Sequence, residues 1–429
     1  MPSGKKILII SYYWPPAGGI SVLRSLKIVK YLRAFGWEPI VYAPSNAHYP
    51  YEDDGGFIDI PENLEIIKQP ILEPFQIFKW LTGRKKTDPL NAITQISDSK
   101  SGWLDQLGIY IRGNFFIPDA RAFWIEPSVK YLTSYLKNHP VDALFSDGPP
   151  HTNTYIASQL KKKLGIPWLM DFQDPWTQAD YYKMMPIGTR ARKRHAEMEQ
   201  ECFENADKIT IASPSWKTDL ENIGAENVDV LYYGYDEDDF VNLEKNESKT
   251  YFDIVHTGLL GHDRSPGNLV EILEDLSSKK KIRLILAGQV DQSVLKSLFQ
   301  KSSQIEVREL GTVSRKKALQ LALDANLLLL PLNKSENSKG RLPGKIYEYL
   351  RTFNPILALG PTDSDAHTIL KQCSAGVCYE YNDNAAIKSY IQNILSSDST
   401  NIQSNKNEIL KYSNKNQTQN LSKWLDQLK

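Results

Sequence analysis

The chain has 429 residues, of which 41% are hydrophobic and 24% charged, with 51 basic and 51 acidic side chains. That is core material for two to three domains of about 150 residues each, and the charge balance excludes the global basic field by which nucleic-acid binders hold phosphate backbones. The three cysteines, Cys202, Cys373 and Cys378, form no CxxC pair and have no histidine at zinc-ligand spacing; so sparse and odd a set suits a reducing cytosol. No run of about 18 apolar residues is present to span a membrane.

In chain order, Lys6 to Ser11 (KILIIS) is a continuous apolar strand of the parallel-sheet kind. It is too short and too β-branched for a signal peptide, and Trp14-Pro15-Pro16 stands in place of a cleavage region. A loop with Gly18 and Gly19 leads into a helix from Ile20 to Phe35, apolar at Val22, Leu23, Leu26, Val29 and Leu32; Gly36 ends it and Glu38 to Ala43 is the next strand. The glycine pair lacks the GxGxxG spacing of a dinucleotide fingerprint. Residues 45 to 128 are less regular. Phe75 to Leu81 with Gly83-Arg84-Lys85-Lys86, and the aromatic-rich Trp103 to Trp124, read either as an insertion packed on the first domain or as a contact with a membrane surface or an amphiphile. Strands and helices alternate again from Asp142 to Leu231.

Residues 235–250 are polar and without periodicity, and read as a linker between an N-terminal Rossmann-like domain, residues 1–234, and a C-terminal one, residues 251–414. The final helix, in residues 415–429, is expected to cross back to the first domain. In the second half, strands are expected at Phe252–Gly258, Ile282–Ala287, Ile305–Arg308, Asn326–Leu330 and Pro355–Leu359, with helices between them. The fold class is therefore α/β, two doubly wound domains facing across a cleft.

The stretch from Lys339 to Leu350 (KGRLPGKIYEYL) carries the sharpest chemical signal. A Gly- and Pro-bearing loop, with Arg341, Leu342 and Pro343, runs through Gly344 into a helix apolar at Ile346, Tyr349, Leu350 and Phe353. Free backbone N–H groups after Gly344, the helix dipole and the cations Arg341 and Lys345 make an anion site suited to a diphosphate. Glu348, one turn in, could accept bonds from the hydroxyls of its carrier. In open α/β sheets ligands sit beyond the carboxyl ends of strands. Gly18 and Gly19, Asp147 to His151, Asp171 and Asp174, Gly258 to Arg264, and Gly311 with Thr312 all fall at such ends.

Taken together, SYYWPPAGG, FSDGPPHTNTYIA, MDFQDPW, HTGLLGHDRSPGNL, LGTVS and RLPGKIYEYL, in that order, resemble the bacterial group 1 (family 4) glycosyltransferases. The resemblance implies the two-Rossmann GT-B arrangement and transfer of a sugar from a nucleotide-sugar donor, with retained configuration. No metal and no other cofactor is implied. It places the acceptor on the N-terminal domain and the nucleotide on the C-terminal one. By resemblance, Gly18 and Gly19 lie near the donor phosphates, Arg264 and Lys345 neutralise the diphosphate, Gly311-Thr312 clamps the base and Glu348 holds the ribose. His151 stands near the reacting sugar, with Asp147 an alternative, and Asp171 and Asp174 are further acceptor-side candidates. The expected partners are a nucleotide-sugar, with UDP favoured, and a glycan or lipid-linked acceptor of surface polysaccharide synthesis. The expected location is cytoplasmic, peripheral on the inner face of the membrane.

Two departures from the family pattern stand out. Gly340 occupies the place of a first glutamate eight positions before Glu348, and Leu259 stands where many members have arginine. Asp236-Glu237-Asp238 and Asp363-Ser364-Asp365 both spell the DxD of metal-dependent one-domain transferases, but two Rossmann halves contradict that fold. A nucleotide-sugar epimerase and a non-catalytic sugar- or nucleotide-binding protein are the alternative readings of the same double fold.

Overall fold

A computed structural model describes residues 4–49, 51–73, 103–246, 248, 250–266, 268–334, 338–396 and 404–428. The chain divides into two compact units, Met1–Tyr232 with Gln417–Lys429, and Tyr233–Asn416.

The first unit is built on seven parallel strands: β1 (Lys5–Ile10), β2 (Trp37–Pro44), β3 (Glu65–Gln69), β4 (Ala143–Gly148), β5 (Trp168–Phe172), β6 (Lys208–Ile211) and β7 (Val228–Val230). Their spatial order is β3-β2-β1-β4-β5-β6-β7, with Ile7 opposite Pro39 on one side and Ala143 on the other. Residues Ile7 to Ile10 are fully buried, as a central parallel strand covered on both faces must be. The Ile20–Leu32 helix lays Val22, Leu26, Val29 and Leu32 on that strand, and the Asn414–Gln427 helix adds Leu421 and Leu425 to the same core.

The second unit has six parallel strands: β8 (Phe252–Thr257), β9 (Ile282–Ala287), β10 (Glu306–Glu309), β11 (Leu327–Pro331), β12 (Ile356–Leu359) and β13 (Gly376–Tyr379). Their order is β10-β9-β8-β11-β12-β13. Leu269, Ile272, Leu273 and Leu276 on the Leu269–Leu276 helix pack with Leu284, Leu286, Leu327 and Leu329 of the sheet. Both units therefore reverse strand order once, between β1 and β4 and between β8 and β11. The crevice outside the strand ends at such a reversal is where doubly wound sheets take ligands.

The irregular reading of residues 45–128 is corrected where they are described. They include the edge strand β3, the Trp103–Phe115 helix and part of the Ile125–Asn138 helix. The Phe75–Lys86 segment lies outside the described residues. Among the described residues, no helix is long and apolar enough to cross a membrane. Within 235–250, a 3-10 turn at Glu237–Phe240 is tied down inside the second unit, by Asp239 to Arg315 and Glu237 to Arg351, both at 2.8 Å.

The carboxyl edge of the second sheet is shaped by glycines with left-handed backbones. Gly258 has φ +94°, Gly288 φ +141° and Gly311 φ +62°. Gly258 N–H donates to the Ala287 carbonyl at 2.6 Å and Gly288 N–H to the Gly311 carbonyl at 2.7 Å. A Cβ on Gly288 would lie 2.2 Å from the Gly258 carbonyl oxygen, a backbone atom with no freedom to move aside. Gly288→Ala is expected to destabilise the second unit by about 2–4 kcal/mol, from overlap plus backbone strain. Urea unfolding followed by fluorescence would measure it.

Candidate functional site

At the β8/β11 reversal the Lys345–Thr352 helix points its first turn at the carboxyl end of β8. Gly344 caps it with helical backbone angles and no side-chain bond, and buried Leu342 anchors the loop before it. The N–H groups just after Gly344 are not all free as the sequence suggested: Ile346 donates to the Pro343 carbonyl at 2.9 Å and Tyr347 to that of Gly344 at 3.3 Å. Tightening of a first turn by such short-range bonds is common at helix ends. The helix is fixed to β8 by Tyr349, whose hydroxyl accepts the Thr257 N–H at 2.8 Å.

This seating brings Lys345 against Gly258, so closely that a Cβ there would lie 2.8 Å from Nζ. Burial, and after it the positive charge of Arg264, push the Lys345 ammonium down to about 7, with Glu348 opposing weakly. Arg264 ends a 3-10 turn, His262–Arg264, and its buried Nε has no hydrogen-bond partner among the described residues. The nearest carboxylate oxygen, on Asp263, is 3.6 Å away, and Asp263 also accepts a 2.5 Å bond from the Asn333 amide. His256, buried on β8, donates from Nδ1 to the Leu329 carbonyl at 3.0 Å in the tautomer that bond requires. It is held down to about 3 by burial and then by Lys345. Glu348 would be the natural counter-charge, but it is shared: its carboxylate takes Arg315 Nη1 at 2.7 Å. The result is an ammonium destabilised by burial and by a second cation at the strand edge, which an anion bound beside it would relieve.

Around this cluster, Arg341, Pro343 and Gly344 are half-buried, Gly340 is buried at the end of the Ser338–Gly340 turn, Gly311 is half-buried and Thr312 is exposed. The DxD carboxylates have local tasks: Asp236 accepts the Asp238 N–H at 3.1 Å, and Asp363 pairs with Lys339 at 2.9 Å.

The first unit's strand ends are used differently. Gly18 lacks a side chain because the Tyr51 ring occupies its place, at 2.4 Å from where a Cβ would be; Gly19, at φ +92°, faces open space at the start of the Ile20–Leu32 helix. Asp147 is buried and accepts from the hydroxyls of Ser11, at 2.8 Å, and Ser25, and from the Asn153 amide at 2.8 Å. Burial raises it to about 6 against those bonds. Asp171 is fully buried in a two-pronged pair with Arg24, at 2.6 and 2.7 Å, and takes the Thr210 hydroxyl at 2.7 Å. Asp147 and Asp171, two of the three expected acceptor-side carboxylates, are thus engaged by the unit's own donors; the third, Asp174, is half-buried. His151 opens the His151–Leu164 helix beneath Trp176, rings parallel with centroids 4.7 Å apart. Among the described residues neither of its nitrogens has a hydrogen-bond partner, and burial, then His195, hold it down to about 3, so it is neutral.

Sequence reasoning missed Arg315, His256 and Arg24. Arg24 and His256 sit inside apolar patterns, and only their burial beside charged partners marks them.

No family model matches the chain, and no curated protein matches it in sequence. Solved structures do match. A Rickettsia africae glycosyltransferase superposes with TM-score 0.63 at 15% identity, covering 99% of this chain and 98% of that one. Anabaena HepE in complex with UDP gives 0.61 at 14%, covering 99% and 100%. Sucrose-phosphate synthase from Thermosynechococcus elongatus gives 0.59 at 14%, covering 99% and 98%. The fold is GT-B.

Two expectations follow from this geometry. Truncating Arg24 to Ala leaves Asp171 buried and unpaired, and should destabilise the first unit by about 3–5 kcal/mol in chemical unfolding. Pyrophosphate binding, by calorimetry, should draw a proton onto Lys345 above pH 7. The free site is then losing that proton while the bound anion holds it, so affinity should fall by up to about tenfold per pH unit above 7 and flatten below. Lys345→Met should remove both the proton uptake and the slope.

Proposed function

We propose that this chain is a retaining glycosyltransferase of the family 4 kind, moving a sugar from a nucleotide-diphosphate sugar to a glycan or lipid-linked acceptor in surface polysaccharide synthesis. The second unit binds the donor and the first the acceptor. The observation that carries this reading is the placement of Lys345 and Arg264 together at the β8/β11 reversal, with Glu348 already committed to Arg315. A departing nucleoside diphosphate develops negative charge on its oxygens, and preorganised cations in a dry site stabilise that charge without a metal ion. Gly258 admits the Lys345 ammonium to the strand edge, and the Gly311-Thr312 loop follows β10, two strands further out, where it would hold the base. Glu348 would take the ribose hydroxyls while it keeps Arg315. In a front-face reaction the glycosidic C–O bond to the diphosphate breaks as the acceptor oxygen bonds to the same face. The acceptor proton passes to a diphosphate oxygen, so no enzyme nucleophile is consumed. A UDP-sugar is the favoured donor, a choice in keeping with Anabaena HepE, whose crystals hold UDP and, in a second form, UDP with glucose.

The test is a thermal-shift screen against UDP-, GDP- and dTDP-sugars, followed by turnover in EDTA with the stabilising donor. At a hundredfold excess over Kd the true donor should add about 2.7 kcal/mol of apparent stability. Lys345→Ala and Arg264→Ala should each lower kcat/KM by about 10²–10³-fold, and the product should keep the donor's anomeric configuration. A sugar nucleotide isomerised without any acceptor would replace this reading with the epimerase one, and strict dependence on a divalent cation would overturn the metal-free leaving-group step.

A further inference from the structure

Beneath Trp176 the first unit buries polar groups that it leaves unused. His151, Asn153 and Thr154 lie in the first turn of the His151–Leu164 helix, just past the carboxyl end of β4. All three are 4% exposed or less. Among the described residues, both ring nitrogens of His151, Oδ1 of Asn153 and Oγ1 of Thr154 have no hydrogen-bond partner. Two of these groups converge: His151 Nδ1 and Thr154 Oγ1 each lie 3.0 Å from where a Cβ on Gly148 would stand. Burying unpaired polar atoms is unfavourable, and a group of them in one place calls for a reason. Their chemistry is that of an uncharged partner. His151 is neutral, Thr154 can give or accept, and Asn153 Oδ1 accepts, so a hydroxyl is matched on its donor and its acceptor side. Asp147, bonded to the Asn153 amide and ionised above about 6, would repel an anion.

What lies over these groups is held by two side chains of one helix. The Trp176 indole is parallel to the His151 ring, and its Nε1–H donates to His195 Nδ1 at 3.0 Å. The next residue, Thr177, donates its N–H at 3.2 Å and its hydroxyl to the Glu199 carboxylate. His195 and Glu199 stand one turn apart on the Thr189–Asn205 helix, so they face the same side. Burial lowers His195, against the Gly113 carbonyl and Asp119, and keeps it the neutral acceptor that the Trp176 bond needs. Burial also pushes Glu199 up to about 7, against the two bonds from Thr177. Beyond these latches, Ala179, Tyr182, Ile187 and Ala191 form a small apolar cluster of their own with Ile117 and Met185, apart from the core of the sheet. A segment with so small a core and an unpaired polar underside is of the kind that opens locally while its domain stays folded.

We propose that residues 176–188 are a cap, latched by His195 and Glu199, over a site for an uncharged hydroxyl floored by His151, Asn153 and Thr154. With the cap closed, Trp176 covers the imidazole face. Identifying the hydroxyl as the acceptor's rests on the transferase reading; the cap and its latches do not.

The experiment is modification of the full chain by diethyl pyrocarbonate near neutral pH, read at His151 by peptide mass spectrometry. Thiol labelling of the fully buried Cys202, on the latch helix, reports wider unfolding. His195→Phe takes away the acceptor of the Trp176 N–H and should speed modification of His151 by about tenfold, with Cys202 as protected as before. His195→Asn, whose amide oxygen stands in for Nδ1, should return the rate to that of the unaltered chain. Trp176→Phe keeps a ring over His151 but has no N–H to latch. It should also speed modification, and it tests the latch even where His195→Phe does not fold. In the opened variants methyl α-glucoside should slow modification of His151, and acetate at the same concentration should not. An unchanged rate in either folded variant overturns the proposal. So does a gain matched by loss of Cys202 protection, or protection by acetate and not by the glucoside. Modification needs neither donor nor turnover, so failure of the cap and failure of the transferase reading are told apart.

Discussion

Two cations that repel each other, Lys345 and Arg264, are held together by backbone that leaves them no alternative. The Lys345–Thr352 helix is fixed to β8 by the bond between Tyr349 and the Thr257 N–H, and Gly258 has no side chain to keep the ammonium away. Left-handed glycines continue the hydrogen bonding past the ends of β8 and β9, so this edge of the sheet is a fixed wall rather than a loop that could relax the repulsion. The lowered Lys345 and the lowered His256 are consequences of that wall. A fold that keeps such an unfavourable arrangement recovers the loss when something negative binds, which is why strongly perturbed groups at a strand-end crevice point to function.

The two units show what one topology leaves undetermined. Both place their strand-order reversal beside the first strand, yet the first unit fills that place from within. Asp147 collects two serine hydroxyls and the Asn153 amide, and Asp171 is clamped by Arg24. The second leaves the Lys345 ammonium destabilised by burial and by Arg264, with Glu348 turned to Arg315. Strand order sets where a ligand can sit; the count of internal partners sets whether the place is already taken.

Much of this was legible in the chain. Buried parallel strands are unbroken apolar runs, as in KILIIS and NLLLL, and the charged helices between them made the alternation plain. Lys345, Arg264 and Glu348 were legible because loop, glycine and helix start lie within a few residues. The edge strand β3 was lost because only one of its five residues is buried, so its pattern is too weak to read. The Trp103–Phe115 helix was ambiguous because an aromatic stripe reads the same whether it meets core or surface. What no local pattern could show is who pairs with whom. Arg24 and Asp171 are 147 positions apart, and nothing near Glu348 announces that Arg315 has claimed it.

His151 shows how environment narrows a role that residue type leaves open. A histidine at a strand-to-helix turn suggests a proton carrier, since its ordinary pKa is near neutrality. Sandwiched under Trp176 and far from compensating charge, this one stays neutral. A neutral imidazole held down to about 3 is too weak a base to shuttle protons at physiological pH. It has one N–H to give and one lone pair to accept with, and neither is used by the described residues. Burial of such a group without partners is unfavourable. In this environment the neutral ring is suited to hydrogen bonding with an uncharged hydroxyl rather than to carrying charge.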